Sequence, residues 1–170
     1  MKSELDGIQQ IELKKDANLS VSVRNPLSDW ETREKVVFNA SELVEQEEGS
    51  RQNPHHFSIK WEGNKKACTL EVLDDAAAKS ALKKKKNKDD TPRCVTEDDS
   101  GNWVPILAME CRGLEPYAYH PLGNEFIVTS TGGATFTDDV DVSEGDWGDY
   151  DEENDAAVSA NEVEFKIESV

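Results

Sequence analysis

Leu19-Ser20-Val21-Ser22-Val23 alternates aliphatic residues with serine. Because successive side chains of a β-strand point to opposite faces, this period of two predicts a strand with one apolar face. The same alternation returns in the segments 57–61, 68–72 and 163–167. Short strands of this kind, separated by turn residues, predict a mainly β protein of antiparallel sheets in a sandwich-like or barrel-like arrangement.

Shorter apolar runs extend this prediction. The segments 35–38, 103–107 and 125–128 carry β-branched or aromatic residues between Gly, Pro, Asn and Asp, which favour turns. Thr131-Gly132-Gly133-Ala134 is typical of a tight hairpin turn. Little helix is expected: the segment 74–86 is rich in Ala and Lys but lacks an apolar stripe, so it predicts a surface helix at most.

The chain length of 170 residues suffices for a single compact domain. We predict that it consists of two similar β-rich halves, residues 1–78 and 103–170, joined by a charged, exposed connection at 79–102. A short motif occurs in both halves, because Glu4-Leu5-Asp6-Gly7-Ile8 resembles Glu110-Cys111-Arg112-Gly113-Leu114. Two related halves would explain this echo.

The charge of the chain restricts its partners. Thirty-six acids against 19 bases give a formal charge of −17, which repels phosphate backbones and anionic lipid surfaces. Nucleic-acid and membrane binding are therefore disfavoured, and self-association has no heptad or apolar stripe to support it, so a monomer is expected. The first residues lack the apolar stretch of a secretory signal, which favours the cytoplasm or the nucleus.

The reactive side chains give no catalytic signature. Cys68, Cys94 and Cys111 are far apart and form no C-x-x-C pair, so neither a disulfide framework nor a compact zinc site is indicated. A metal site from Cys68 with His55 or His56 stays open, as does a thiol nucleophile at Cys111 with His56 or His120 as its base. The interpretation we favour is that the histidines lie on the surface and that the cysteines are small core residues, and that the protein is not an enzyme.

Two biased segments invite a functional interpretation. The lysine run is either a nuclear-import signal, a docking patch for an acidic partner, or a solvated loop; it consists of Lys83, Lys84, Lys85, Lys86 and Lys88. The acidic segment 138–155 contains ten acids and no base, yet it also contains Trp147 and Tyr150. Aromatic residues in such a segment either anchor a basic partner or fasten the segment to a sheet.

Three blocks resemble the C-terminal half of a eukaryotic family, the CXXC-motif-containing zinc-binding proteins. They are Met109 to Pro116, Thr131 to Phe136 and Glu144 to Glu152. The family-motif positions within them are Cys111, Arg112, Gly113, Glu115, Trp147, Tyr150 and Asp151. Looser similarity in the N-terminal half extends the resemblance over nearly the whole chain, and it implies an antiparallel β fold of two similar halves.

The resemblance also implies a zinc site that this chain lacks. In the family, two C-x-x-C pairs hold zinc, and here they align with the segments 25–28 and 61–64. The four ligand positions are occupied by Asn25, Ser28, Trp61 and Asn64. Asn and Ser are poor zinc ligands and Trp is none. We therefore expect no cofactor, and we expect the Trp61 ring to fill space that zinc stabilises in relatives.

These observations predict a non-catalytic protein-interaction module, a zinc-free relative of the family and a candidate subunit of a larger complex. The partner would be a basic protein that contacts Trp147, Tyr150 and the acids around them. The alternative is a zinc- or copper-handling protein that uses other ligands.

Overall fold

A computed structural model describes residues 1–86 and 90–170. This part of the chain contains thirteen strands and one α-helix. The first six strands are β1 (Lys2–Asp6), β2 (Ile8–Leu13), β3 (Asn18–Arg24), β4 (Thr32–Asn39), β5 (Phe57–Ile59) and β6 (Cys68–Val72). After the helix α1 (Asp75–Lys84) come β7 (Val95–Thr96), β8 (Met109–Arg112), β9 (Glu115–Tyr119), β10 (Phe126–Ser130), β11 (Thr135–Phe136), β12 (Trp147–Asp151) and β13 (Ala156–Glu164).

The mainly β, antiparallel fold class is confirmed, and β3 shows why. Leu19, Val21 and Val23 are fully buried, as the alternation predicts. The serines between them are buried as well, and β3 is the central strand of its sheet, with β4 on one side and β9 on the other. Small hydroxyl side chains suit this second face, where the Ser22 Oγ lies 2.7 Å from the His120 Nε2.

The strands form four sheets arranged as two lobes. Lobe 1 consists of the sheets β4-β3-β9 and β5-β6-β8, and lobe 2 of the sheets β11-β10-β2-β7 and β1-β13-β12. Each lobe has its own apolar core between its two sheets. Lobe 1 packs around Leu19, Trp61 and Leu70, and lobe 2 packs around Ile11 and Phe126.

The two lobes repeat one strand order. In lobe 1, β4-β3-β9 faces β5-β6-β8; in lobe 2, β11-β10-β2 and β12-β13-β1 occupy the same places. Along the chain this is a unit of six strands, β1–β6 and then β8–β13. The first two strands of each unit lie in the lobe that the other unit completes. The exchange means that each lobe needs strands from both six-strand units.

The motif shared by the two halves marks equivalent positions in this repeat. Gly7 joins β1 to β2 with a φ of +68°, and Gly113 lies at the equivalent bend between β8 and β9 with a φ of +75°. A Cβ on Gly7 would lie 3.3 Å from the Val158 side chain, and one on Gly113 would lie 2.5 Å from the Cys68 sulfur. Both bends therefore require glycine, for its backbone freedom and for its missing side chain.

Several boundaries differ from the sequence predictions. Each core draws strands from both predicted halves, 1–78 and 103–170, because of the exchange. The connection 79–102 contains the end of α1 and β7, and its Leu82 and Val95 are buried. The prediction of a strand at 103–107 was wrong: this segment lies outside every sheet. Its Pro105 has no backbone N–H to donate to a neighbouring strand.

The surface helix that the sequence allowed at 74–86 is present as α1. Asp74 caps its start by accepting a hydrogen bond from the Ala77 amide at 2.8 Å. Ala78 and Leu82 are its buried residues. The described residues contain no helix with the length and apolarity needed to cross a membrane.

Candidate functional site

Two tight turns in lobe 1 contain the segments 25–28 and 61–64, which the sequence resemblance aligns with the family's C-x-x-C pairs. The turn 25–28 follows β3, and the Ser28 amide donates to the Asn25 carbonyl at 3.1 Å. The turn 61–64 comes shortly after β5, and the Asn64 amide donates to the Trp61 carbonyl at 3.1 Å. This hydrogen bond brings the first and last residues of each turn together, which is the backbone arrangement that a metal-binding pair with this spacing uses.

The carboxylate of Glu31 connects the two turns. Its Oε2 accepts a hydrogen bond from the Asn25 side-chain amide at 2.6 Å, and its Oε1 accepts one from the Glu62 backbone amide at 3.2 Å. The other amide atom of Asn25, Oδ1, accepts from the Leu27 amide at 3.0 Å. Asn25 is only 8% exposed, so the network satisfies a polar side chain that burial would otherwise penalise.

Trp61 adds an apolar support beneath the second turn. Its side chain is 1% exposed and belongs to the lobe 1 core. That the ring replaces the stabilisation by zinc in relatives stays a prediction. The indole Nε1 donates to the Gly113 carbonyl at 2.8 Å, which satisfies its one polar group. The guanidinium of Arg33 lies 5.7 Å from the ring centre, within the range of a cation–π contact.

Lobe 2 holds an equivalent pair of turns with hydrogen bonds. The Gly133 amide donates to the Ser130 carbonyl at 3.0 Å after β10, and the turn 151–154 follows β12. The Ser130 hydroxyl donates to the Asp151 Oδ2 at 2.8 Å, which joins the turns. Asn154 donates to the same oxygen at 2.8 Å. Asp151 is 2% exposed, and the hydrogen bonds from Asn154 and Ser130 lower its pKa.

The donor set in lobe 1 does not fit zinc. Trp61 offers a donor N–H that is already used, and the Asn25 amide is committed to Glu31 and Leu27. Ser28 and Asn64 bring only neutral oxygen or amide donors, whereas structural zinc sites use thiolate and imidazole. In residues 1–86 and 90–170, no group of three or more His, Cys, Asp or Glu is placed to hold a metal ion.

The thiols and histidines considered in the sequence are engaged in packing. Burial, with a smaller contribution from Glu110, raises the pKa of Cys111 to about 12, so the thiol is protonated at neutral pH. Each candidate histidine has one ring nitrogen in a hydrogen bond. The His56 Nδ1 accepts from the Val72 amide at 2.9 Å, the His55 Nδ1 lies 2.8 Å from the Asn53 carbonyl, and the His120 Nε2 lies 2.7 Å from the Ser22 Oγ. Burial raises the pKa values of Cys68 and Cys94 as well.

The predicted aromatic surface of lobe 2 is only partly exposed. Trp147 is buried, packs edge-on against Phe136 and donates from Nε1 to the Asp139 carbonyl at 3.1 Å. Its ring therefore fastens the acidic segment to the sheet. Tyr150 is exposed, and its hydroxyl donates to Asp155.

Of the charged family-motif residues, Asp151 is buried, whereas Arg112, Glu115 and the described lysines of the lysine run reach the surface. Glu115 pairs with Arg24 at 3.0 Å across β9 and β3, and Arg112 lies 3.5 Å from Glu110. Lysines at the end of α1 and just after it are exposed; they are Lys83, Lys84, Lys85 and Lys86. Lys88 lies outside the described residues.

Sequence reasoning missed three residues of this region, Leu27, Trp30 and Glu31. Leu27 and Trp30 are 90% and 85% exposed, which is unusual for such large apolar side chains. A Leu and a Trp inside a Pro- and Asp-containing segment were a usable signal for an exposed apolar loop. Glu31 gave no local signal, because it is one of 36 acids.

Comparisons with known sequences identify one family. A family model described as "CXXC motif containing zinc binding protein, eukaryotic" matches residues 1–168. The chain is 38% identical to UPF0587 protein CG4646 of Drosophila melanogaster over 42% of this chain and 44% of that protein. It is 36% identical to the Homo sapiens CXXC motif containing zinc binding protein over 39% of this chain and 41% of that protein. These alignments thus span less than half of the curated relatives.

Solved structures share the architecture over nearly the full length. A hypothetical protein from Plasmodium falciparum has a TM-score of 0.77 and 25% identity, covering 95% of this chain and 91% of that one. C1orf123 has a TM-score of 0.74 and 20% identity, covering 94% and 90%. With the family match over residues 1–168, these similarities show that the chain belongs to the eukaryotic family of CXXC-motif-containing zinc-binding proteins.

Proposed function

We propose that this chain is a non-catalytic protein-interaction module in which hydrogen bonds and an apolar side chain do the structural work of the family's zinc ion. The observation that carries the proposal is the Glu31 carboxylate, which bonds Asn25 on one turn and Glu62 on the other. Lobe 2 supports it, because Asp151 joins an equivalent pair of turns in the same way.

A binding role suits the remaining chemistry better than catalysis. The Cys111 thiol has a pKa raised to about 12, which is far from the value that an activated nucleophile needs. A concavity of about 520 Å³ beside Cys68 and Gly113 is shallow and open rather than enclosed, unlike the pockets that hold small substrates. The charge of −17 favours a basic protein as the partner, met in the cytoplasm or nucleus.

A measurement of the metal content tests the statement that this chain binds no zinc. The full chain, purified without added metal or chelator, is analysed by mass spectrometry for zinc and copper and is melted with and without EDTA. We expect far less than one metal ion per chain and the same melting temperature in both buffers. Zinc or copper near one equivalent would contradict the proposal and would favour a metal-handling role.

A variant with the family's ligands restored serves as the matched control. It combines Asn25→Cys, Ser28→Cys, Trp61→Cys and Asn64→Cys. Because both turns keep their closing hydrogen bonds, we expect this variant to bind about one zinc ion and to lose stability when EDTA removes it. A folded variant that binds no zinc would contradict the expectation, because it would show that the four cysteines are not placed around a common point.

A further inference from the structure

The loop 25–31 between β3 and β4 presents an apolar tip, formed by Leu27 and Trp30. Their side chains are 90% and 85% exposed, more than any other large apolar side chain in residues 1–86 and 90–170. The equivalent loop of lobe 2, between β10 and β11, contains Thr131, Gly132, Gly133 and Ala134 and no large apolar residue. The repeated fold therefore does not require an apolar tip on this loop, and only the loop of lobe 1 has one.

The base of the loop is fixed although its tip is exposed. The Asn25 backbone N–H donates to the Glu31 backbone carbonyl at 2.9 Å. The Asn25 side-chain amide donates to the Glu31 carboxylate at 2.6 Å. Leu27 and Ser28 are tied to Asn25 by their backbone amides at 3.0 and 3.1 Å. A tip held in this way loses little conformational freedom when it binds, which favours affinity.

Polar and aromatic side chains border the tip. Arg24, at the start of the loop, pairs with Glu115 at 3.0 Å and lies 6.0 Å from the ring centre of Tyr117. Asp29 lies near enough to Arg24 to raise the pKa of its guanidinium, behind the larger effects of Glu115. An apolar centre with a charged rim is the composition of protein–protein interfaces, and Trp is the residue type most enriched in their energetic centres.

The negative charge of the loop and of the whole chain indicates which kind of partner binds the apolar tip. The loop 25–31 contains two acids, Asp29 and Glu31, and no base, and the whole chain carries −17. Such a surface repels anionic lipids and a second copy of itself, whereas it attracts a basic protein. We propose that the apolar tip inserts Trp30 and Leu27 into an apolar cleft on a basic partner protein. This inference rests on the proposed interaction function and assigns its surface.

Site-specific photocrosslinking in the full chain tests the surface. The variant Trp30→p-benzoylphenylalanine is expressed in the native cells and irradiated; the matched control is Val37→p-benzoylphenylalanine, since Val37 is an exposed residue of β4 outside the loop. We expect an adduct with a basic protein at position 30, no such adduct at position 37, and loss of the adduct when Leu27→Ser is added. No adduct above the Val37 control, an adduct between two copies, or an adduct with lipid would overturn the proposal.

The partner identified by crosslinking is then purified, and its affinity for the unmodified chain and for variants measures how much the tip contributes to binding. We expect Trp30→Ala to weaken its affinity about tenfold or more, and Val37→Ala to leave it nearly unchanged. The melting temperature of Trp30→Ala is expected within about 2 °C of the unmodified chain, because the side chain is exposed. Equal affinities for the two variants would overturn the proposal.

Metal analysis of the same preparations separates this inference from the zinc-free proposal. Bound zinc together with a tip-dependent partner would leave the apolar tip as the docking surface and reject the zinc-free site. Metal-free protein with no tip-dependent partner would reject the docking surface alone.

Discussion

At the scale of single residues, the carboxylate of Glu31 joins the two turns 25–28 and 61–64. It accepts hydrogen bonds from Asn25 and from the Glu62 amide. Removing it with Glu31→Ala leaves the buried Asn25 amide without an acceptor. We expect the free energy of unfolding to fall by about 1–3 kcal/mol, measured by urea denaturation.

The control for this variant is Asp29→Ala, which removes the same charge from the same loop at an exposed position. Its expected effect is within about 0.5 kcal/mol. If the two variants lost equal stability, the loss would reflect charge rather than the bridge between the turns.

Trp61 contributes volume as well as a hydrogen bond, and two variants separate these contributions. Trp61→Ala opens a cavity in the lobe 1 core, and we expect a loss of about 3–5 kcal/mol. Trp61→Phe keeps most of the apolar volume but cannot donate to the Gly113 carbonyl. We expect Phe to recover more than half of the loss.

An unchanged melting temperature for Trp61→Ala would show that the ring does not stabilise lobe 1. If Trp61→Phe lost as much unfolding free energy as Trp61→Ala, the stabilisation would come from the hydrogen bond rather than from the volume of the ring.

At the scale of elements, a carboxylate closes the short helical turn 97–99 after β7. The Asp99 Oδ2 accepts from the Thr96 amide and hydroxyl, both at 2.9 Å, and Arg93 binds both carboxylate oxygens at 2.6 and 2.7 Å. The Arg93 hydrogen bonds above all, and those from Thr96, hold the pKa of Asp99 well below its usual range. The ionised form therefore stabilises the fold.

A pH series on Asp99→Asn tests this cap. Because the folded pKa lies below the unfolded value of about 3.9, the stabilisation is complete above about pH 5 and declines as the pH falls through 4. We expect the difference in unfolding free energy between the unmodified chain and the variant to be constant from about pH 5 to 7 and to shrink below that. Taking the difference removes the contribution of the overall charge of −17.

The matched control is Asp98→Asn, whose side chain is exposed on the same turn. It is expected to show little difference at any pH. A difference for Asp99→Asn that stays constant down to pH 3 would assign the cap to hydrogen bonding without ionisation.

Elements with a strong local pattern were predictable from the sequence, and elements defined by distant partners were not. The alternation in β3 and the glycine pair of the β10–β11 turn carried their own signals. By contrast, β12 is the polar sequence Trp-Gly-Asp-Tyr-Asp, and it is a strand because it pairs with β13. The site shows the same limit: the resemblance located the two turns, but the choice of Glu31 as their bridge depends on tertiary contacts.

At the scale of the whole molecule, the exchanged strands make the two lobes interdependent. β1 pairs only with β13 among the described strands, and β3 needs β9 to cover its second edge. The boundary between lobes therefore does not coincide with any single position along the chain. A molecule connected in this way is expected to unfold in one cooperative transition.

Fragments test this interdependence. In a fragment of residues 1–86, β1 and β2 lack β13 and β10, and β3 and β6 lack β9 and β8. We expect this fragment, and the fragment 90–170, to show no cooperative thermal transition alone, followed by circular dichroism. The intact chain is the control, and mixing the fragments is expected to restore a transition because each supplies the strands that the other lacks. A cooperative transition in either fragment alone would mean that a lobe folds from one sequence half, and that the exchange is not required for its stability.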